Sequence, residues 1–273
     1  MQEFGTGFQY LLLILARVMG VFFNSPVFGA ESIGYRLRMT LAFFVSVILY
    51  PVVSKYFSPI PDGPIPFILA IASQATVGIL IGFMIGVIFS AFQAAGYIFS
   101  IQMGLSFSEV LDPQSQISSP VIGTLKGMIA LILFLTVDFK IDGVYVPAHL
   151  HLIRTLSESF RLVPEFLPTA TVLSGIVSQL DKALGVMFLT ALKIGIPIMG
   201  ILFITSVALG LLGRAAPQMN LINMGIQINI FVGLTILIIL SPVIIPIILE
   251  SFYQTYDMIG ELLRDWPVKS GVL

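Results

Sequence analysis

Between Gly63 and Ser108 no residue carries a formal charge. One crossing of a bilayer takes about 20 apolar residues, so this run is long enough for two. It reads either as two tightly turned helices or as one very long helix. Near its middle Gly78, Gly82 and Gly86 recur at four-residue spacing and therefore share one helix face. In a soluble helix three glycines would be destabilising. In a membrane they let another backbone approach closely, and a crowded helix–helix contact is expected there. Gln74, Gln93 and Gln102 add amides that need partners in a dry environment.

The whole chain shares this character. Of 273 residues 57% are apolar and only 10% charged, with a mean hydropathy of +1.03. Soluble domains carry roughly a quarter charged residues, so the composition is that of an integral membrane protein. A net charge of −1 gives no electrostatic case for nucleic acid. Cysteine is absent, which rules out disulfides and thiolate metal sites. The first ten residues carry Glu3 and no Lys or Arg. A signal peptide needs a basic start, so the first apolar segment is expected to be retained.

That segment runs from Phe8 to Phe28, is interrupted by Arg17 and ends at Asn24-Ser25-Pro26. A charge inside an apolar segment usually faces protein or water, and Arg17 is expected to face a protein neighbour. Met39–Val53 is a second, shorter segment broken by Pro51, and the proline-dense run Ser58–Pro66 is expected to be non-helical. Gly104–Ser119 has loop character, with Asp112-Pro113 opening a turn. Val121–Val137 is another apolar segment, closed by Asp138, Lys140 and Asp142.

Leu152, Leu156, Phe160 and Val163 then recur at helical spacing, with Arg154, Glu158 and Arg161 on the other face. This predicts an amphipathic helix over about 149–163, lying on a membrane or a partner. His149 and His151 point in different directions on such a helix and have no ligand partner at metal spacing, so no metal is expected. In Leu167–Gly213, Asp181-Lys182 and Lys193 are the charges, and Gly195-Ile196-Pro197 predicts a kink. Leu221–Leu249 follows, bent by Pro242 and Pro246, then an amphipathic stretch Glu250–Trp266. A single helical membrane domain over 1–266 is expected, with a disordered tail over 267–273.

Between Lys193 and Glu250 the only formal charge is Arg214, in Arg214-Ala215-Ala216-Pro217-Gln218-Met219-Asn220. Pro217 disfavours helix at Ala216, so the preceding helix is expected to stop near Arg214. Gln218 and Asn220 supply amides for the freed backbone or for another subunit. From the residues alone this is a polar hairpin tip between two apolar helices.

The same stretch, followed by Gly225, closely resembles the signature of the FliR family, a membrane component of the bacterial flagellar type III export gate. Arg17 and Pro26, and His149, Ser159, Phe160 and Pro164, also fit that family's pattern. Gln227 and Asn229 depart from it, standing where proline and a basic residue are common. The resemblance implies an all-α architecture of six or more long, kinked hydrophobic helices arranged as hairpins within a hetero-oligomeric gate. Several FliP and FliQ homologues would join one copy of this chain, with FlhB and FlhA homologues nearby, and unfolded substrates would pass through. The loop at about 104–119 would face the channel and help plug it. Gly104, Phe107, Asp112, Pro113 and Gln114 match that pattern, and Leu111 and Ile117 add bulk. Arg17, Gly78, Gly82, Gly86, Arg214, Pro217, Gln218 and Asn220 are the candidate assembly residues. The location implied is the bacterial inner membrane, at the flagellar basal body.

Two other classes compete. A multi-pass solute carrier would show repeated halves and a midplane polar site, and no internal repeat is visible. An intramembrane enzyme needs a catalytic pair, whereas Asp181 is the only carboxylate inside an apolar run. No phosphate loop, dinucleotide fingerprint or supported Ser–His–acid set is present, so no cofactor and no catalysis are expected. Lys and Arg are spread thinly over all loops and set no orientation. A virulence-secretion counterpart of the flagellar protein is the nearest alternative.

Overall fold

The computed structural model describes residues 2–28, 34–57, 63–104, 131–132, 134–141, 144–164, 170–215 and 221–264. The long elements are α1 (Gln2–Asn24), α2 (Tyr35–Val53), α3 (Pro64–Gln102), α4 (Ala148–Leu162), α5 (Ala170–Ala215) and α6 (Leu221–Arg264). A short antiparallel hairpin, β1 (Asp138–Ile141) and β2 (Val144–Pro147), precedes α4. The chain is thus an all-α membrane protein, with one small β-hairpin among the described residues. Among the described residues five helices are long and apolar enough to cross a membrane, α4 not being one of them. The expected segment Val121–Val137 lies mostly outside the described residues.

The charge-free run is one helix rather than two. It begins two residues earlier than the proline-dense run ends, so Pro64 and Pro66 occupy its first turn. That is a correction with a simple cause: first-turn N–H groups have no intrahelical acceptor, so proline forfeits nothing there. Gly63, at φ +102°, turns the chain into this helix. Gly104 ends it at φ +78°, donating its N–H to the Ile101 carbonyl at 2.9 Å. A glycine in the left-handed region just past the last turn is a common helix stop.

α6 absorbs both Leu221–Leu249 and the stretch from Glu250 in a single helix. Pro242 lacks the N–H that the Ile238 carbonyl would accept, and the Ser241 hydroxyl donates to that carbonyl instead at 2.8 Å. Neighbouring hydroxyls of this kind are what make proline tolerable in membrane helices. α5 likewise runs through Pro197 and ends at Ala215, beside Arg214 as expected.

The described residues form two compact units. The first comprises residues 1–87, 134–184 and 253–273. Its interior is built from Ile14, Val18 and Val21 of α1, Val77, Ile81 and Ile85 of α3, and the inner face of α4. Leu152, Leu156, Phe160 and Val163 are buried as their spacing predicts, while Arg154, Glu158 and Arg161 are exposed. The apolar face of α4 therefore packs inside this chain, against Phe57 and Arg17 among others, rather than on a lipid surface or another subunit. In this unit the Tyr256 hydroxyl donates to the Ala148 carbonyl and that of Tyr253 to the Asp138 carbonyl, both at 2.9 Å.

The second unit comprises residues 88–133 and 185–252. Phe99, Met103, Ile198 and Leu202 form its centre, with Ile230, Ile236 and Leu240 of α6 packed on them. Gly233 of α6 leaves room for Met103, whose Cγ would lie 2.7 Å from an added Cβ.

Candidate functional site

Arg17 is the most completely buried charge in the first unit, with no solvent exposure. It sits mid-helix on α1, and α4 supplies its partners. Nη2 donates to the Val163 carbonyl at 2.6 Å and Nη1 to Ser159 Oγ at 3.1 Å. The guanidinium carbon lies 4.1 Å from the centre of the Phe160 ring. Among the described residues no carboxylate pairs with it. The negative end of the α4 dipole and the ring face take that role, which suits a planar, weakly hydrated cation. Gln74 of α3 closes the same helix end, its Nε2 donating to the Pro164 carbonyl at 2.7 Å. One arginine and one glutamine thus satisfy carbonyls that the helix C-terminus leaves open.

The glycine row on α3 faces α1 at the same level. A Cβ on Gly78 would collide with the Arg17 carbonyl. On Gly82 it would lie 2.8 Å from the Val21 carbonyl, and on Gly86 3.3 Å from that of Asn24. α1 returns the fit with Gly20, whose Cβ would lie 2.6 Å from the Ala75 carbonyl. The expected crowded helix contact is therefore real, and its partner is the chain's own first helix. Arg17, Gly78, Gly82 and Gly86 meet at one seam, with Gly78 under the backbone of the residue whose side chain holds α4.

A second cluster of the first unit surrounds a cavity of about 480 Å³. Phe139, His151, Tyr253 and Tyr256 line one part of it, and Glu158, Asp257, Glu261 and Arg264 another. The His151 ring stacks on Phe139 at 5.0 Å between centroids and tilts onto Tyr256 at 4.5 Å. Burial pushes the imidazole below its ordinary pKa and Arg154 adds to this, while Glu158 and Asp257 pull it up. A base held neutral by the fold binds its proton more readily once unfolded. Stability is therefore present above pH 6.5 and falls as pH drops below it, until the folded imidazole also titrates. For one proton the slope is at most about 1.4 kcal/mol per pH unit. Hydrogen exchange of α4 amides at pH 5.5 and 7.5 is expected to show this loss of protection, and His151→Gln is expected to flatten it. An unchanged slope in that variant would place its source elsewhere.

The remaining candidates are dispersed. Arg214 lies exposed in the last turn of α5. Pro217, Gln218 and Asn220 lie outside the described residues, as do Phe107, Leu111, Asp112, Pro113, Gln114 and Ile117. Of the candidate plug only Gly104 is described, as the residue that ends α3. Asp181 and Lys182 are exposed in this chain, Lys182 being 3.9 Å from Glu261. Sequence reasoning missed Ser159, Phe160 and Val163 as the seat of Arg17, and no local pattern names them, since two of the three contacts involve a backbone carbonyl and a ring face.

A family model described as bacterial export proteins, family 1, matches residues 8–255. The chain is 29% identical to the flagellar biosynthetic protein FliR of Escherichia coli K12, over 93% of this chain and 92% of that one. It is 28% identical to the FliR of Bacillus subtilis 168, over 94% and 95% of the two chains. It is 30% identical to that of Borreliella burgdorferi, over 85% and 82%. The buried Arg17, the glycine seam and, among the described residues, five membrane-length helices are therefore features of a chain that belongs to family 1 of the bacterial export proteins.

Proposed function

We propose that this chain is a core subunit of the flagellar type III protein export gate in the bacterial inner membrane, at the flagellar basal body. It helps form and close the channel through which unfolded flagellar proteins pass. The observation that carries this reading is the family match over nearly the whole chain, together with relatives that bear the name of a flagellar biosynthetic protein. The helices support it. At 1.5 Å per residue α3, α5 and α6 measure roughly 58, 69 and 66 Å, about twice the hydrocarbon thickness of a bilayer. Helices of that length fit an assembly that surrounds a path better than a set of independent crossings.

In this reading one copy of the chain joins several FliP-like and FliQ-like subunits, with FlhB-like and FlhA-like proteins adjacent. The loop at about 104–119 narrows the channel, with Phe107, Leu111 and Ile117 as bulk. Export needs no bond chemistry from this subunit, and energy coupling belongs to other proteins. The virulence-secretion counterpart remains the second reading, and the flagellar names of the relatives favour the first.

Native mass spectrometry of the tagged chain, extracted from its own cells in mild detergent, tests the proposal. One copy of this chain with several copies of smaller membrane proteins is the expected result. A stable monomer or homodimer would overturn it in favour of a solute carrier.

A further inference from the structure

The cavity of the first unit lies between two helix faces. α4 lines it with His151, Thr155 and Glu158, and α6 with Tyr253, Asp257 and Arg264. At 100° per residue each set falls on one stripe of its helix. The space, about 480 Å³, is in the range that holds small ligands. Gly260 of α6 keeps it open, since a Cβ added there would meet nothing within 4 Å.

Two groups at this cavity lack partners. Thr155 is only 9% exposed, and among the described residues its hydroxyl has no hydrogen-bond partner. Elsewhere Thr40, Thr76, Thr205 and Thr235 each donate to the carbonyl four residues back, the usual outlet for a helical threonine. His151 Nδ1, on the next turn from Thr155, is likewise buried without a partner. A neutral imidazole with its proton on Nε2 presents Nδ1 as an acceptor, and a hydroxyl accepts as well. A ligand that brings N–H donors satisfies both.

Charge narrows the choice. Among the described residues Asp257 has no cation within ion-pair distance, whereas Glu158 is taken by Arg161 at 2.7 Å and Glu261 lies 3.9 Å from Lys182. Tyr253 is 41% exposed, so part of its ring is open to a cation. Arg264 has no carboxylate partner among the described residues and offers a forked donor to an oxyanion. One free carboxylate and one free guanidinium, about 10 Å apart along α6, suit a ligand that carries both charges. The level fits a lipid headgroup. The apolar run of α6 ends at Leu249, and Tyr253 and Asp257 follow about 6 and 12 Å further on, where headgroups border hydrocarbon and tyrosines collect.

We propose that this cavity binds a phosphoethanolamine group, its ammonium on Asp257, Thr155 and the Tyr253 ring and its phosphate on Arg264. The group belongs to a membrane aminophospholipid or to a free solute. A quaternary ammonium has no N–H and leaves Thr155 and His151 unsatisfied, so a choline headgroup is expected to be rejected. The site lies within one unit of one chain and does not rest on the gate reading.

The test uses the full chain, with whatever membrane proteins it purifies with, in an uncharged detergent. Native mass spectrometry after exposure to equal amounts of phosphatidylethanolamine, phosphatidylcholine and phosphatidylglycerol reads the lipid source. Calorimetric titration with O-phosphoethanolamine reads the free one. Phosphatidylethanolamine is expected to be retained over the other two lipids. Asp257→Asn and Arg264→Gln are each expected to weaken binding roughly tenfold, as loss of a hydrogen bond to a charged group does. Gly260→Leu fills the open space without removing a polar contact, and is expected to abolish binding without lowering the melting temperature. Retention of the lipid without a calorimetric signal assigns the site to the headgroup, and a signal without retention assigns it to the solute. No preference for phosphatidylethanolamine together with no calorimetric signal, or binding that survives all three substitutions, overturns the inference.

Discussion

Gly78→Ala is expected to destabilise the protein by about 3 kcal/mol or more, beyond the usual range for overpacking a core. The added carbon meets a backbone carbonyl, that of Arg17, and not the end of a movable side chain. A peptide group inside a helix cannot rotate aside without breaking its own hydrogen bond, so α1 must move as a body. That movement would also withdraw the Arg17 side chain from α4. Thermal unfolding in detergent checks this, with a drop of roughly 6–12 °C expected for a chain of this size. Gly260→Ala is the matched control, since nothing lies within 4 Å of its added carbon. There the substitution removes only a helix-weakening glycine and is expected to raise stability, by up to about 1 kcal/mol. Equal effects of the two substitutions would mean that helix propensity, and not the seam, decides the outcome.

Arg17→Lys is expected to be worse than Arg17→Met. The guanidinium reaches Ser159 Oγ and the Val163 carbonyl at once while lying flat on Phe160. A compact ammonium cannot do all three, yet it remains a charge in a dry place, and such a half-partnered ion costs about 3–5 kcal/mol. Methionine removes the charge and fills much of the volume. Its main penalty is the Val163 carbonyl left unsatisfied, about 1–3 kcal/mol, because the Ser159 hydroxyl keeps its bond to the Leu156 carbonyl at 2.7 Å. Melting curves and hydrogen exchange in the last turn of α4 measure both. If lysine is tolerated as well as methionine, the forked geometry is not what holds this helix end.

What could be seen in the sequence was what repeats. The glycines four residues apart predicted a close helix contact, and the spacing of Leu152, Leu156 and Phe160 predicted the buried face of α4. Neither pattern names a partner, because periodicity describes one surface at a time. That is why α4 was expected on a membrane or a subunit and is found inside the chain. Arg17 was recognisable as protein-facing from the penalty for a lone charge, but its acceptors lie 142 and 146 residues away and are a generic hydroxyl and a backbone carbonyl. The β-hairpin carries a local signal of its own. Asp142-Gly143 stands between two runs rich in β-branched and aromatic residues, the strongest short-range mark of a hairpin. The rule that proline ends a helix fails at two places for local reasons: Pro64 and Pro66 sit in a first turn, where no N–H is forfeited, and α2 runs through Pro51, which was expected to break it.

The distance between Arg17 and its acceptors also sets an order of events during synthesis. At about 5–20 residues per second the ribosome needs roughly 7–30 s to make the chain from Arg17 to Val163. For that interval a newborn α1 holds a cation whose final partners do not yet exist. α3 and its glycines emerge far sooner, so the backbone seam can form while the arginine is still waiting. The glycines then act as a cradle that keeps α1 in place until α4 arrives, and a cell that weakens the cradle is expected to lose the nascent chain before the lock can close.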